Sequence, residues 1–230
     1  MKKCIPFVTC LLLSGQAIAD GEMFKGLSFQ IGIGAEKGGG HVDDFRDPAT
    51  GQPFIHPIMN ETIMKTIDQD IQVIANIGLL YTFQLNEKWL IGLGAEFNPF
   101  HVKAGTNKLW TTSGTFLYSE SNNSERRLSL FATPSYLVSD DSIIYAKLGY
   151  SELSVSVTNE VNLPSEKLTH RGIIYGAGYK KFIDQNFYVY GEGNYIHYNK
   201  KNDEPSRNGF STFDTYTNAR NIVIGVGYQF

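Results

Sequence analysis

Ile222-Val223-Ile224-Gly225-Val226-Gly227-Tyr228-Gln229-Phe230 alternates large apolar side chains with small or polar ones. Successive residues of a β-strand point to opposite faces, so Ile222, Ile224, Val226, Tyr228 and Phe230 share one face, and Val223, Gly225, Gly227 and Gln229 share the other. Read as a strand, the segment has a continuous greasy face and a small, polar back. Alternation of this kind also fits a half-buried edge strand of a soluble sheet. The rest of the chain decides between a strand that faces lipid and one that does not.

Seven upstream segments repeat the pattern, at 26–36, 71–85, 89–97, 127–138, 143–151, 172–182 and 187–198. The first sets Leu27, Phe29, Ile31, Ile33 and Ala35 against Ser28, Gln30, Gly32, Gly34 and Glu36. The fifth sets Ile144, Ala146, Leu148 and Tyr150 against Tyr145, Lys147 and Gly149. Each is about the ten residues that a tilted strand needs to cross a bilayer. Pro134 removes a ladder donor from the fourth segment and predicts a local bulge. Short turns at 85–88, 139–142 and 183–186 alternate strictly with long connections at 37–70, 98–125, 152–171 and 199–219. The first long connection, with Gly38-Gly39-Gly40, Asp47-Pro48 and Gln52-Pro53, reads as irregular. The second reads as a hairpin that continues the wall, because Leu109-Trp110 and Phe116-Leu117-Tyr118 flank Ser113-Gly114. The fold class is therefore all-β: an eight-stranded antiparallel transmembrane β-barrel. Phe83, Trp89, Tyr136, Tyr179, Phe187, Tyr228 and Phe230 all fall outward beside the short turns, as an interfacial aromatic girdle would.

The beginning of the chain agrees. Lys2 and Lys3 precede an apolar run at 5–13, and Ala17-Ile18-Ala19 is a small-residue cleavage site, so residues 1–19 read as a secretory signal peptide and 20–230 as the barrel. The run is too short to span a bilayer as a helix. Both cysteines, Cys4 and Cys10, leave with the signal, and so do two of the 20 basic residues but none of the 23 acidic ones, which moves the net charge from −3 to −5. A mildly acidic secreted chain has no electrostatic footprint for nucleic acid. The mean hydropathy of −0.20 excludes a helical membrane protein. It does not count against a barrel, whose strands dilute their apolar face by half.

The terminal segment resembles the insertion signal of bacterial outer-membrane barrels, with Phe230 last, Tyr228 two residues earlier and apolar alternation upstream. More widely, Leu130-Phe131-Ala132-Thr133-Pro134-Ser135-Tyr136, Tyr145-Ala146-Lys147-Leu148-Gly149-Tyr150 and Tyr190-Gly191-Glu192-Gly193-Asn194-Tyr195 are similar to the opacity-type family of small outer-membrane surface proteins. The resemblance implies an integral outer-membrane protein of a Gram-negative cell, a monomer with its three short turns in the periplasm and its four long loops outside. It implies contact with outer-membrane lipids and lipopolysaccharide, delivery by the barrel assembly machinery, and adhesion to a host receptor or matrix ligand through the loops. Loop aromatics that could anchor such a ligand are Trp110, Phe116, Tyr118, Phe210 and Phe213. The alternatives are a narrow porin for small solutes and a structural envelope protein.

Eight strands leave an interior only wide enough for side chains to fill. Lys147, Lys180 and Glu192 point inward on consecutive strands near their turns and are expected to pair in one layer. Glu96 is a more distant acid. An unpaired charge there would cost several kcal/mol, so a structural plug is expected over a selectivity constriction.

Chemistry is scarce. His197-Tyr198-Asn199-Lys200 is similar to the His-x-Ser-Asn segment of barrel lipid A deacylases, but Asn199 stands where that family has its nucleophile, and an amide has no proton for a histidine to remove. His41, His56, His101, His170 and His197 fall in or beside the long connections without the close spacing of a metal site. Gly32-x-Gly34 and Gly176-x-Gly178 lie inside alternating strands and make room across the lumen. No catalytic residue, cofactor or metal is expected.

Overall fold

Alternation of this kind forces strands, and strands in lipid must close, because an unpaired backbone edge has no water to turn to. In the computed structural model, described for residues 22–47, 49, 50, 52, 63–68, 71–99, 102–111, 113–159, 166–199, 201–205 and 212–230, closure is complete. The strands are β1 (Gly26–Arg46), β2 (Ile63–Asp68), β3 (Ile71–Gln84), β4 (Trp89–Asn98), β5 (Val102–Thr111), β6 (Phe116–Ser139), β7 (Ser142–Asn159), β8 (Glu166–Phe182), β9 (Phe187–Tyr198), β10 (Lys201–Pro205) and β11 (Thr212–Gln229). Eight of them pair antiparallel in the cycle β1-β3-β4-β6-β7-β8-β9-β11, and β11 returns to β1. The remaining three extend the wall at the end with the long connections: β2 pairs β5, β5 pairs β6, and β10 pairs β11. The signal segment lies outside the described residues.

Pairing overrides breaker residues in two places. The glycine run 38–40, expected to be irregular, continues β1, with Gly38, Gly39 and Gly40 in register with Ala219, Asn218 and Thr217 of β11. A Cβ on Gly39 would lie 2.0 Å from Asn218 Oδ1, so the glycine leaves room for that amide to lie across it. The expected bulge at Pro134 is absent: Ile91 pairs Pro134, and on the other side the register is the same at Ala132–Leu148 and Ser135–Tyr145. A missing donor opens the ladder locally, but it needs no extra residue. The register shifts of β6 against β7 fall instead between Ser124 and Arg126 and between Leu137 and Ser139. The second connection forms the expected hairpin of β5 and β6.

The exterior is apolar. Ile33, Leu130, Ile173, Ile222 and Ile224 are each more than half exposed, which only a hydrocarbon surround makes favourable for so continuous a belt. Beside the short turns Trp89 meets Tyr136, and Phe187 meets Tyr228, with ring centroids 5.1 and 5.0 Å apart.

Two of the short turns are built alike. Asn86 Oδ1 accepts from the N–H groups of Lys88 (3.0 Å) and Trp89 (2.9 Å), and Asp184 Oδ1 accepts from those of Asn186 (2.9 Å) and Phe187 (2.7 Å). These bonds hold the Asp184 carboxyl below the ordinary carboxylate range. At the same end the first and last strands are clamped. Gln229 Nε2 donates to the carbonyls of Lys25 (2.7 Å) and Leu27 (2.9 Å), and Asn186 Nδ2 donates to the Gln229 carbonyl (2.8 Å).

Candidate functional site

The lumen is stacked in layers, each following from strand parity. At the end with the short turns, a single 3-10 turn (Glu22–Phe24) folds under the barrel and inserts Phe24. Its ring meets Phe182 edge-on at 4.9 Å and closes an apolar floor with Leu90, Leu137, Ile143 and Tyr188. Above the floor lies an ionic layer. Lys147 Nζ donates to Glu192 Oε1 (2.8 Å) and to Glu96 Oε2 (3.0 Å) and sits 4.3 Å from the centre of the Phe131 ring. Tyr145 Oη donates to Glu192 Oε2 (3.0 Å).

Amides carry the network onward. Asn194 Nδ2 donates to Glu192 Oε1 and to Asn221 Oδ1, both at 2.9 Å, and Asn221 Nδ2 donates to Glu36 Oε2 at 3.0 Å. Glu36 then accepts both terminal nitrogens of Arg127, a two-pronged charge-assisted pair. A second apolar layer of Leu153, Ile174, Ile196, Tyr198 and Ala219 closes the stack toward the long connections. Among the described residues the buried charges balance, with Lys147, Lys180 and Arg127 against Glu36, Glu96 and Glu192. A cavity beside Lys180 and Glu192 has a volume of about 10 Å³, room for about one water.

Two expectations need correction. Lys180 forms no ion pair among the described residues: its ammonium lies 4.1 Å from the centre of the Tyr188 ring, a cation–π contact, while Lys147 takes both carboxylates. Glu96 is a direct partner and not a remote one. Strands in a closed barrel are staggered, so distance from the turn along one strand does not give height in the lumen. The Glu36–Arg127 pair escaped the sequence reading for the same reason, although parity already turns both residues inward. Small residues seat the large inner rings, since a Cβ on Gly227 would lie 2.1 Å from Tyr188, and one on Gly225 2.4 Å from Tyr190.

Outside the lumen, Trp110 and Phe116 face each other across the β5–β6 hairpin, ring centroids 5.1 Å apart, with Phe116 exposed. Thr111 Oγ1 accepts from the Thr115 N–H (3.1 Å) and holds the turn, where Gly114 adopts φ of 88°. Tyr118 falls on β6 and Phe213 on β11, and Phe210 lies outside the described residues. Tyr228 and Phe230 meet edge-on, ring centroids 5.1 Å apart, at the exterior. His197 is exposed on the outward face, and His170 is buried inside, 6.4 Å from the Tyr198 ring. His56 and His101 lie outside the described residues. Among the described residues no three histidines, cysteines or carboxylates gather as a metal site.

A closed barrel with an apolar belt outside and paired charges buried inside is an integral outer-membrane β-barrel protein. The family assignment agrees: the chain belongs to the outer membrane protein beta-barrel domain family, whose model matches residues 9–230. Among solved structures it is similar to the outer membrane protein OprG from Pseudomonas aeruginosa, with 15% identity and a TM-score of 0.54 over 90% of this chain and 96% of that one. It is also similar to the outer membrane protease OmpT from Escherichia coli, with 10% identity and a TM-score of 0.50 over 89% and 97%. The attachment invasion locus protein Ail of Yersinia pestis aligns at 14% identity and a TM-score of 0.47 over 90% and 99%. At these identities the likeness concerns the fold. No curated protein sequence matches the chain.

Proposed function

We propose that this protein is a non-conducting, non-catalytic surface barrel that meets its ligand, a host receptor or matrix component, through the strands extended beyond the lipid belt. The single observation that carries the reading is the filled lumen, layered from Phe24 to Tyr198 and leaving about 10 Å³ beside its central charges. With the lumen given over to these layers, the surface that this reading assigns to specific contact is the extended wall. There the Trp110–Phe116 pair offers a rigid aromatic anchor of the type that dominates binding energy in interfaces. The mature chain acts as a monomer, delivered by cleavage of residues 1–19 and assembled through its last strand.

Two measurements on the refolded full barrel test this. Planar-bilayer recording is expected to show no discrete conductance, and cells expressing the protein are expected to bind cultured host cells until residues 106–120 are replaced by a short turn. Stepwise conductance in the parent protein would put the narrow-pore reading in its place. Undiminished binding after hairpin removal would sink the adhesive one.

A further inference from the structure

On the lipid face, one lateral row of residues marks where the apolar belt ends toward the long connections. It runs Tyr175, Tyr195, Arg220, Lys37 and Ile71 across β8, β9, β11, β1 and β3, each the register partner of the next. Two residues nearer the short turns the same faces carry Ala177, Gly193, Ile222, Ala35 and Val73, without a charge. Within the row, Lys37 and Arg220 stand directly opposite each other on the seam between the first and last strands. Both are exposed, and both have outward parity, since their neighbours Glu36, Ala219 and Asn221 are buried in the lumen.

Two cations facing each other on adjacent strands destabilise a sheet unless something negative lies between them. Neither has an acidic partner among the described residues. A cross-strand charged pair on the outer face of β7 and β8, Glu152 and Arg171, has the opposite arrangement and closes on itself at 3.0 Å. The cation of Arg220 is also held in place. Its guanidinium lies 5.6 Å from the centre of the Tyr195 ring, and Tyr195 is packed 5.1 Å from Tyr175. Two residues further along the same seam, Gly39 pairs Asn218, whose amide lies over the glycine.

From this we infer that Lys37 and Arg220 form a binding site for the phosphate monoester of a membrane glycolipid in the leaflet on the long-connection side. The stoichiometry points to a monoester. Two cations on register-paired residues of one face match a group carrying close to two negative charges, which a phosphodiester does not. The position points to a lipid. The row is the first polar level above the belt, where a headgroup phosphate lies while its acyl chains cover Ile222, Ile224 and Ile33. Arg220 supplies a planar fork for two phosphate oxygens, and Lys37 a point charge opposite.

The test uses the full barrel refolded in zwitterionic detergent. Bisphosphorylated lipid A, its dephosphorylated form, phosphatidylglycerol and inorganic phosphate are each titrated, and bound lipid is read by native mass spectrometry. Lipid A is expected to bind the parent, with the dephosphorylated form and phosphatidylglycerol clearly weaker. Replacing both cations, Lys37→Gln with Arg220→Gln, is expected to weaken lipid A binding about tenfold or more, with a smaller loss in each single variant. Arg171→Gln, at the same end but already paired, is expected to bind as the parent does. Because the substituted side chains face outward, folding is checked by heat-modifiable gel mobility, and the single variants carry the test if the double one fails to fold. Equal binding by parent and variants, equal loss in Arg171→Gln, or phosphatidylglycerol or inorganic phosphate binding as well as lipid A would each overturn the site.

Discussion

At the scale of single residues, the chain spends its buried charges in pairs, and the consequence can be measured. Replacing Glu192 with Gln removes one of the two carboxylates on Lys147 and leaves Lys147 and Lys180 facing Glu96 alone in that layer. The variant is expected to lose about 2 to 4 kcal/mol of stability, read from the shift of its urea unfolding midpoint in detergent. An unchanged midpoint would mean that Glu96 suffices. At the turn, the lowered Asp184 carboxyl stabilises the fold in full above the ordinary Asp value of 3.8, and the contribution fades as the pH falls toward and through the lower folded value. Asp184→Asn, which copies the neutral amide of Asn86 in the matching turn, is therefore expected to flatten the acid limb of the stability curve while leaving neutral stability close to the parent's. An acid limb as steep as the parent's would show that the turn does not contribute. Parity alone placed Lys147, Glu192, Glu96, Glu36 and Arg127 inside. Which of them touch was not legible, because the stagger between strands is a property of closure and is not written in any one segment. Phe24 was illegible for another reason: its position before the first strand has no alternation to read.

At the scale of elements, the short turns and the alternating strands were readable almost residue by residue, since hydrophobic periodicity and turn chemistry acted in the same direction. The failures fell where a neighbour overruled a local signal. The glycine run 38–40 reads as a loop on its own, yet it is a strand because β11 lies beside it. Pro134 reads as a defect, yet the ladder steps over it. Paired glycines and tyrosines show the opposite case, in which a residue type that weakens strands is needed for packing across the lumen. Gly227→Val would drive a branched side chain into the Tyr188 ring, where even a Cβ would come within 2.1 Å. Overpacking of this kind is expected to cost about 1 to 3 kcal/mol and to broaden the aromatic signals of Tyr188 in NMR spectra. A variant that unfolds like the parent, with those signals unchanged, would mean that the floor is loosely packed.

At the scale of the molecule, the strict alternation of short and long connections assigns the two ends of the barrel to the two sides of the membrane. Protease sites introduced at residues 112–115, in the β5–β6 turn, are expected to be cut on intact cells, and sites at Asn86 or Asp184 only after the membrane is opened. Cutting at Asp184 from outside would reverse the orientation. The clamp at Gln229 has a mechanical consequence. Ladder bonds run across the strands, so a load pulling the last strand along its own axis is shared by both flanking ladders and by the clamp at once, whereas a sideways load reaches the bonds one after another. The barrel is therefore a directional material, stiff to extraction and soft to peeling. Single-molecule pulling along the strand should register a higher rupture force than pulling across it, and the end at which β11 is gripped sets how firmly the protein is anchored.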